Sequence, residues 1–560
     1  MPEYLHPGVY VQEVPSGARP IEGVSTSTSA FIGVADKGAM PGSLLSTGRA
    51  AQPLLVTSFT EYTRQFGGFR RDSFLTYAAR SFFDNGGRRL YVVRVANGAR
   101  AAVFPSSPPG PALSPPNAAA GLALSAANEG EWGNDIWINL TASSDGETDN
   151  FKLVVKYGAT ETQAEVVESY DNVTFRGTTL ADLPPANYVR TIVNSRSEYV
   201  AITADLFARP LIPAGTPAQP GALRFRLGGG TDGAPVTTDE FIGAPAVDNT
   251  RSGTGLHALD KITDVNLVAI PGRGDPITVN AGMDYCKTRQ LQDCFFVADT
   301  GSIQNVSNAR ADGAQPDDVI RLSDARTFAT GGISVAGTTV PLNKSAGDYG
   351  AVYYPWVWST DPIGTGRNPR ILLPPSGFVT GIYARIDNSR GVFKAPAGTE
   401  AGVNGALTPA AVVGDTDQDQ LNPISVNVIR TVPGTGIVVW GARTIGSDAA
   451  WRYVPVRRMA IFLRTSIYYG IQWAVFEPND EPLWASLRLN IRAFMLTQFR
   501  AGAFQGAKPD DAFFVKCDST TTIQTDIDNG VVNILVGFAP LKPAEFVVLK
   551  LSQKVNQPAA

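Results

Sequence analysis

The spacing of apolar positions predicts a mixed α/β unit at the start of the chain. VYVQEV, at residues 9–14, is a β-branched and aromatic run between Pro7 and Pro15, which predicts an extended strand. AFIGVADKG predicts a first core strand. Apolar residues recur at helical spacing over 74–82, and LYVVRV then predicts a strand that ends at Val95. Strand, helix and strand in this order favour an α/β core.

The middle of the chain changes pattern twice. Residues 97–121 are rich in Pro, Ser, Gly and Ala, which is typical of a linker. DIWINL, FKLVVKY and AEVVES follow and predict short antiparallel strands, so we interpret 98–240 as a β-rich insertion. From Phe241 the α/β pattern returns, with NLVAIPG and CFFVADT as parallel strands joined by a crossover helix. Residues 395–420 are polar or small and predict a loop rather than core.

A long amphipathic helix is predicted near the end of the chain. Asn479 or Asp480 can cap it, and Pro482 suits its first turn. One face of this helix is formed by Leu483, Leu487, Ile491, Phe494, Met495 and Gln498. VVNILVGFAP and EFVVLKLS predict strands that complete an α+β end domain.

Composition narrows the functional classes. Among 560 residues, Lys and Arg number 47 and Asp and Glu 51, so the net charge of −4 gives no global basic field for nucleic acid or an acidic membrane. Cys286, Cys294 and Cys517 form no CxxC pair, which favours a reducing compartment and buried free thiols. The start of the chain lacks the features of a signal peptide, and no apolar run is long enough to span a membrane. We therefore expect synthesis in the cytoplasm and no membrane insertion.

Candidate chemistry is sparse. His6 and His257 are the only histidines, so metal sites and catalytic triads have little material, and a hydrogen-bonded structural role is favoured for His257 near Asp260. LGGGTDG lacks the Lys-Ser/Thr of a phosphate-binding loop and is interpreted as a turn. The sequence therefore predicts no catalytic residue, no metal ligand and no cofactor.

Two features suggest binding instead. Arg488, Arg492 and Arg500 follow one side of the long helix, either as a solvated face or as a stripe that touches an acidic partner. Both chain ends are prone to form strands, which would be hazardous as unpaired sheet edges. Each end can pair within its own subunit or add to a sheet of another subunit, and the residue pattern leaves both open.

Longer motifs carry a resemblance to a known family. YGAVYYPWVWSTDP, PPSGFVTGIYARIDNSRGVFKAPAG, LNPISVNVIRTVPGTGIVVWGARTI, WRYVPVRRM, FEPNDEPLW and KPAEFVVLKL closely resemble tail sheath proteins of contractile phages and related contractile injection systems. The opening PGVYVQEV, AFIGVADKG and the EGEWGN segment are similar too. The resemblance covers nearly the whole chain, with several long motifs in the expected order.

The resemblance implies a fold and an assembly. It implies an α/β and α+β multidomain protein, with a non-catalytic subtilisin-like α/β core, a β-sandwich insertion and an α+β C-terminal domain. The expected divisions are an N-terminal arm (1–24), core (25–97), outer insertion (98–240), core (241–450), inner sheath domain (451–542) and C-terminal arm (543–560). The residues expected to join neighbouring subunits are Val9, Tyr10, Val11, Gln12, Glu13 and Val14 in one arm, and Phe546, Val547, Val548, Leu549, Lys550 and Leu551 in the other.

The implied function is that of a contractile sheath subunit and not of an enzyme. Hexameric rings would stack around an inner tube protein, with baseplate and terminator or cap proteins at the ends, and contraction from a metastable extended state would drive the tube through a target envelope. Arg488, Arg492 and Arg500 are candidates to face the tube. A non-contractile baseplate or capsid protein is the alternative, and an α/β hydrolase a weaker one. The particle would be a phage tail or a tail-like injection system.

Overall fold

The computed structural model describes residues 20–43, 51–104, 122–177, 183–212, 221–248, 250–303, 305–311, 313, 315, 319–331, 333–335 and 338–546. Its chain forms two compact units. We call Met1–Ser25, Gly391–Lys394 and Pro455–Ala560 the C-terminal unit, and Thr26–Arg390 with Ala395–Val454 the core unit. Each is described separately below.

The strands are numbered in chain order. They are β1 Ser29–Gly33, β2 Leu54–Val56, β3 Leu90–Arg94, β4 Val103–Phe104, β5 Leu124–Ala126, β6 Ile136–Ala142, β7 Phe151–Tyr157, β8 Glu165–Val173, β9 Val200–Ile202, β10 Ala222–Arg226, β11 Leu267–Ala269, β12 Arg273–Gly274, β13 Phe295–Asp299, β14 Gly301–Ser302, β15 Ile333–Val335, β16 Thr338–Val340, β17 Gly350–Tyr354, β18 Val357–Thr360, β19 Arg370–Leu373, β20 Ala406–Pro409, β21 Val426–Val432, β22 Gly436–Val439, β23 Phe513–Lys516 and β24 Leu535–Phe538.

The α-helices are numbered in the same way. They are α1 Phe59–Phe66, α2 Leu75–Asp84, α3 Val189–Arg196, α4 Thr238–Ile242, α5 Pro276–Thr288, α6 Leu322–Thr330, α7 Pro375–Arg390, α8 Asp415–Leu421, α9 Val454–Gly470, α10 Glu481–Arg500, α11 Pro509–Ala512 and α12 Gln524–Asp528. Together with the strands they form a mixed α/β protein of several parts.

One large sheet organises the core unit. Its order is β2-β3-β1-β11-β13-β17-β21-β22, and the six central strands pair in parallel. β1, β13 and β17 are buried at every position, as expected for parallel strands that are covered on both faces. α5 forms the crossover between the parallel strands β11 and β13, where the sequence predicted one.

Helix α7 packs closely on α2 because it carries glycines at the contact. A Cβ added at Gly377 would lie 2.7 Å from the Cα of Ala78, and one added at Gly381 would lie 2.5 Å from the carbonyl oxygen of Phe82. Neither position has room for a side chain. The two backbones can therefore approach at a distance that only glycine permits.

The insertion between β3 and β11 is built from two sheets. One has the order β10-β6-β7-β8 and the other β4-β5-β9, and all of the pairs in them are antiparallel. Side chains of both sheets and of α3 share one hydrophobic cluster, which includes Phe151, Val193 and Ile202. The alternating burial of β6 and β7 explains why their sequences alternate apolar and polar residues.

Two arginines fix the root of this insertion. The guanidinium of Arg94 is buried and donates to the carbonyl oxygens of Ala35 (3.1 Å), Gly38 (2.9 Å) and Glu129 (2.7 Å), which belong to both sides of the junction. Burial lowers the pKa of Arg94. Nearby, the guanidinium of Arg70 pairs with three carboxylates, those of Asp36 (2.9 Å), Asp72 (2.7 Å) and Asp232 (2.9 Å).

The chain leaves the core and returns to it at neighbouring points. The backbone N–H of Ala234 donates to the carbonyl oxygen of Asn97 at 2.8 Å, and Arg100 pairs with Thr231 in an antiparallel bridge. The two strands of the root therefore close a loop of more than a hundred residues with local hydrogen bonds.

The segment predicted as a loop at 395–420 contains regular structure. β20 pairs with β18, and α8 begins at Asp415, where the Asp417 carboxylate accepts from the backbone N–H of Gly414. Its polar residues are helix-capping and surface positions. The prediction of a loop was therefore wrong for these two elements.

Candidate assembly surface

The C-terminal unit is built around a helix whose sequence signals are local. The Asp480 carboxylate accepts from the backbone N–H of Leu483 at 3.2 Å and caps α10, and Pro482 lies in the first turn. The residues of α10 that are buried are Leu483, Trp484, Leu487, Asn490, Ile491, Phe494 and Met495. The predicted cap and apolar face are thus both present, while Gln498 is only partly buried.

A two-stranded antiparallel sheet packs beside α10. β23 alternates strictly, with Phe513 and Val515 buried in the core that Ile491 of α10 also joins, and Phe514 and Lys516 exposed. Gly537 lies opposite Phe514, and a Cβ at this glycine would meet the phenyl ring at 2.3 Å. Among the described residues neither β23 nor β24 has a second strand partner, although Phe504 and Gln505 pair with Pro540 and Ala539 just beyond β24. Sheet edges without a strand partner can accept an added strand.

The predicted arms fall mostly beyond what the structure describes. Residues 9–14 and 547–551 lie outside the described residues. Phe546, the last described residue, is 76% exposed. Residues 20–25 and 455–546, which lead to the two arms in the sequence, belong to the same unit.

The three candidate arginines have different environments. Arg488 pairs with Glu481 at 3.1 Å and donates to the carbonyl oxygen of Cys517. Arg492 pairs with Asp510 at 2.7 Å, and its guanidinium lies 5.9 Å from the centre of the Phe513 ring. Arg500 is exposed and forms no ion pair within the described part of the chain. The first two charges are therefore balanced internally, by pairs that sequence spacing alone did not indicate.

The C-terminal unit presents many large apolar side chains to solvent. They are Tyr468, Tyr469, Val475, Phe476, Leu489, Phe514, Ile523, Val531, Leu535, Leu541 and Phe546. Where such side chains form a contiguous patch, they mark a surface that contacts other molecules. The sequence analysis missed Phe476, although a phenylalanine between Trp473 and the proline of FEPND, just before a helix cap, is a signal that could have drawn attention to it.

The groups that could support catalysis are engaged in structure. Asp299 accepts from the backbone N–H of Gly272 (3.0 Å) and from both the N–H (2.7 Å) and hydroxyl (2.9 Å) of Ser376, and burial raises the pKa of Asp299 to about 6. His257 instead pairs with Asp260 at 3.2 Å. No group of residues among those described could hold a metal ion, and no helix among them is long and apolar enough to cross a membrane.

A cavity of about 330 Å³ lies where β1 and β11 end. Its charged lining is internally matched, since Arg70 pairs with Asp72 and Asp232. Arg273 donates to the carbonyl oxygen of Val236 at 3.1 Å.

The three cysteines are free and buried, as predicted, and burial raises the pKa of the Cys517 thiol to about 11.

Sequence comparison decides the family. Residues 254–445 match the phage tail sheath protein central domain, and residues 446–554 match the phage tail sheath C-terminal domain, so the two matches together cover more than half of the chain. The chain belongs to the phage tail sheath family. As a member of this family, the chain is a structural protein and not an enzyme.

Individual relatives agree with this assignment. A prophage major tail sheath protein of Pseudomonas aeruginosa (strain UCBPP-PA14) is 25% identical over 174 residues, which is 31% of this chain and 44% of the relative. The tail sheath protein of Vibrio phage KVP40 is 27% identical over 180 residues, 32% of this chain and 26% of the relative. The alignments thus span less than half of either relative.

The fold is shared over nearly the full length of a solved structure. The PVC sheath complex of an extracellular contractile injection system, in its contracted state, gives a TM-score of 0.53 at 20% identity and covers 99% of both chains. At this identity the likeness concerns the fold alone. It extends across the insertion, which neither family match includes.

Proposed function

We propose that this chain is the repeating subunit of a contractile sheath in a phage tail or tail-like particle. Its copies would form hexameric rings that stack around an inner tube protein, with baseplate and terminator or cap proteins at the two ends. The observation that carries the proposal is the open two-stranded sheet, β23 with β24, in a chain whose family is that of tail sheaths.

The arms supply the links in this proposal. Residues 9–14 of one copy and 546–551 of another would add as strands to the open edges of β23 and β24. Main-chain hydrogen bonds give such a link strength. Head-to-tail contacts that do not close then generate an open helical assembly.

Contraction follows from a difference in energy between two lattices of the same subunits. If the wider, shorter lattice buries more surface, a few kcal/mol per copy (about 100 Å² of apolar surface at ~25 cal/mol/Å²) adds up over many copies to the work that drives the tube outward. No nucleotide or cofactor is required for that stroke. The alternative structural function is that of a non-contractile baseplate or capsid protein, which forms rings or shells of fixed size. Of these assemblies, only a contractile sheath changes length.

Electron microscopy of the purified full-length chain tests the proposal. Hollow ridged tubes with sixfold end views are expected, in two populations of different length and diameter when the particle's trigger or mild denaturant is applied. Rings or shells of one constant size would refute the contractile function.

The arms have a sharper test. Val11→Pro with Gln12→Pro removes two successive backbone donors, which point to opposite sides of a strand, and should abolish tubes while the thermal transition of the monomer is unchanged. Val11→Thr keeps the β-propensity and the N–H group, and should assemble as the wild type does. Equal assembly by the two variants would show that this arm adds to no sheet.

A further inference from the structure

An exposed patch lies at the start of α10. Val475 is 58% exposed and Phe476 is fully exposed, and the side-chain amide of Asn479 donates to the carbonyl oxygen of Val531 at 3.1 Å, which brings a third exposed apolar residue alongside. We call residues 475–481 and 518–531 the acidic–apolar patch. The position of Asn479 is fixed by Trp484, which is buried and whose indole N–H donates to the side-chain oxygen of Asn479 at 2.9 Å.

The backbone at Phe476 is unusual. Its φ is +69°, in the left-handed region, which is a genuine outlier for a bulky residue. The phenyl ring is fully exposed, so packing within the chain does not compensate for the strain. Strain of this kind at an exposed aromatic residue is typical of a binding position, where a partner supplies the contacts that the isolated chain lacks.

The charge of this patch is strongly one-sided. Its two segments contain no Lys or Arg, and their six carboxylates are those of Glu477, Asp480, Glu481, Asp518, Asp526 and Asp528. Arg488 balances only Glu481 by direct contact. A partner for the patch therefore needs cationic side chains around an apolar recess.

The opposite end of α10 has the complementary charge. Asp510 is paired with Arg492 at this end, and the one other carboxylate, Asp511, is outnumbered by two further cations, Arg500 and Lys508. Both are exposed, and neither forms an ion pair with any other described residue. Phe499 is partly buried at this end, and the twenty-residue helix separates the two ends by about 30 Å.

We propose that the acidic–apolar patch of one copy docks, around Phe476, on the basic end of α10 in a second copy. The contact is head to tail, so each copy uses both ends and the series does not close on a dimer. The inference rests on the proposed sheath function and adds a side-chain contact to it. It assigns Arg500 to a contact between copies, whereas the sequence analysis placed this residue towards a tube.

A substitution at Phe476 separates docking from folding. Phe476→Asn removes the aromatic ring and places a residue that tolerates left-handed backbone, so the melting temperature of the monomer should be unchanged or higher. The critical concentration for assembly should rise about tenfold or more, as expected for loss of a central aromatic contact. Val412→Asn, at a residue that is 96% exposed in the core unit, is the matched control and should assemble normally.

Charge reversal identifies the partner. One variant carries Glu477→Lys, Glu481→Lys, Asp518→Lys and Asp528→Lys, which leaves four lysines against two carboxylates in the patch. The other variant carries Arg500→Glu and Lys508→Glu. Each alone should fail to assemble, because like charges meet at every contact. An equimolar mixture should assemble again, since every contact in an alternating series then joins opposite charges.

The outcomes distinguish this inference from the function on which it rests. Wild-type chains that form no sheath would overturn the proposed function itself. Sheaths from the wild type and from Phe476→Asn at the same critical concentration would overturn the docking inference alone. Loss of assembly in both charge variants without rescue in the mixture would show that the patch binds something other than the basic end of a second copy.

Discussion

Replacing Arg94 tests whether a buried cation holds the insertion to the core. Arg94→Met keeps most of the side-chain volume but removes the donors of four hydrogen bonds, of which the three shortest go to the carbonyl oxygens of Ala35, Gly38 and Glu129. Arg94 is 2% exposed, so water cannot replace these hydrogen bonds without opening the junction. Each lost bond from a charged donor costs about 1.5–3 kcal/mol, and because the three share one group we expect a total of about 3–5 kcal/mol.

The effect should be local as well as large. Arg64→Met is the matched control, because it also joins the two sides of the junction, pairing with Glu198 at 4.0 Å, but is largely exposed. Its loss should cost at most about 0.5 kcal/mol. Denaturant unfolding measures the difference, and hydrogen exchange should show loss of protection at residues 35–38 and 129–131 in Arg94→Met only. A change below about 1 kcal/mol, or equal exchange in both variants, would refute the reasoning.

Three further results are expected. Burial raises the pKa of Asp299 from 3.8 to about 6, so its ionised form is disfavoured in the folded chain. The free energy of unfolding should therefore fall by about 3 kcal/mol as pH rises between these two values. Asp299→Asn should flatten that part of a curve of stability against pH. Gly282→Ala should cost about 1–3 kcal/mol in thermal unfolding, since a Cβ would lie 2.4 Å from the Phe296 ring, whereas Gly331→Ala, whose nearest neighbour is 3.8 Å away, should be nearly neutral. Asp480→Ala should lower stability by about 1 kcal/mol through loss of the cap on α10, measured by the same unfolding.

Sequence reasoning succeeded where the deciding forces are local. The cap, the proline and the apolar face of α10 lie within one segment of chain, and the buried strands β11 and β13 are apolar apart from Asp299 at the end of β13. The polar stretch at 395–420 misled because β20 owes its structure to pairing with β18, far away in the sequence. Secondary structure set by tertiary partners cannot be derived from local composition.

Charge partners were the least predictable part of the candidate surface. Arg492 forms an ion pair with Asp510, eighteen residues away in the sequence. Its position on the helix alone therefore did not indicate that its charge is paired. Arg94 stood in an apolar run as the one charged residue of β3, which indicates exposure, yet the fold buries it. Phe476 was overlooked because its importance depends on a backbone angle and on exposure, which have no counterpart in a hydropathy pattern.

Because the root of the insertion is closed, sequence changes within the insertion need not affect the core. Asn97 and Ala234 are joined by a backbone hydrogen bond, so the two ends of the segment between them are as close as the ends of a tight turn. The length of that segment does not change the distance between its ends. Residues can be gained, lost or exchanged there without changing the spacing of β3 and β11. The family match begins at residue 254 and leaves this module out, as expected of a part that is free to diverge. A foreign domain with closely spaced termini could be carried at the same root and would be repeated once per subunit along the particle.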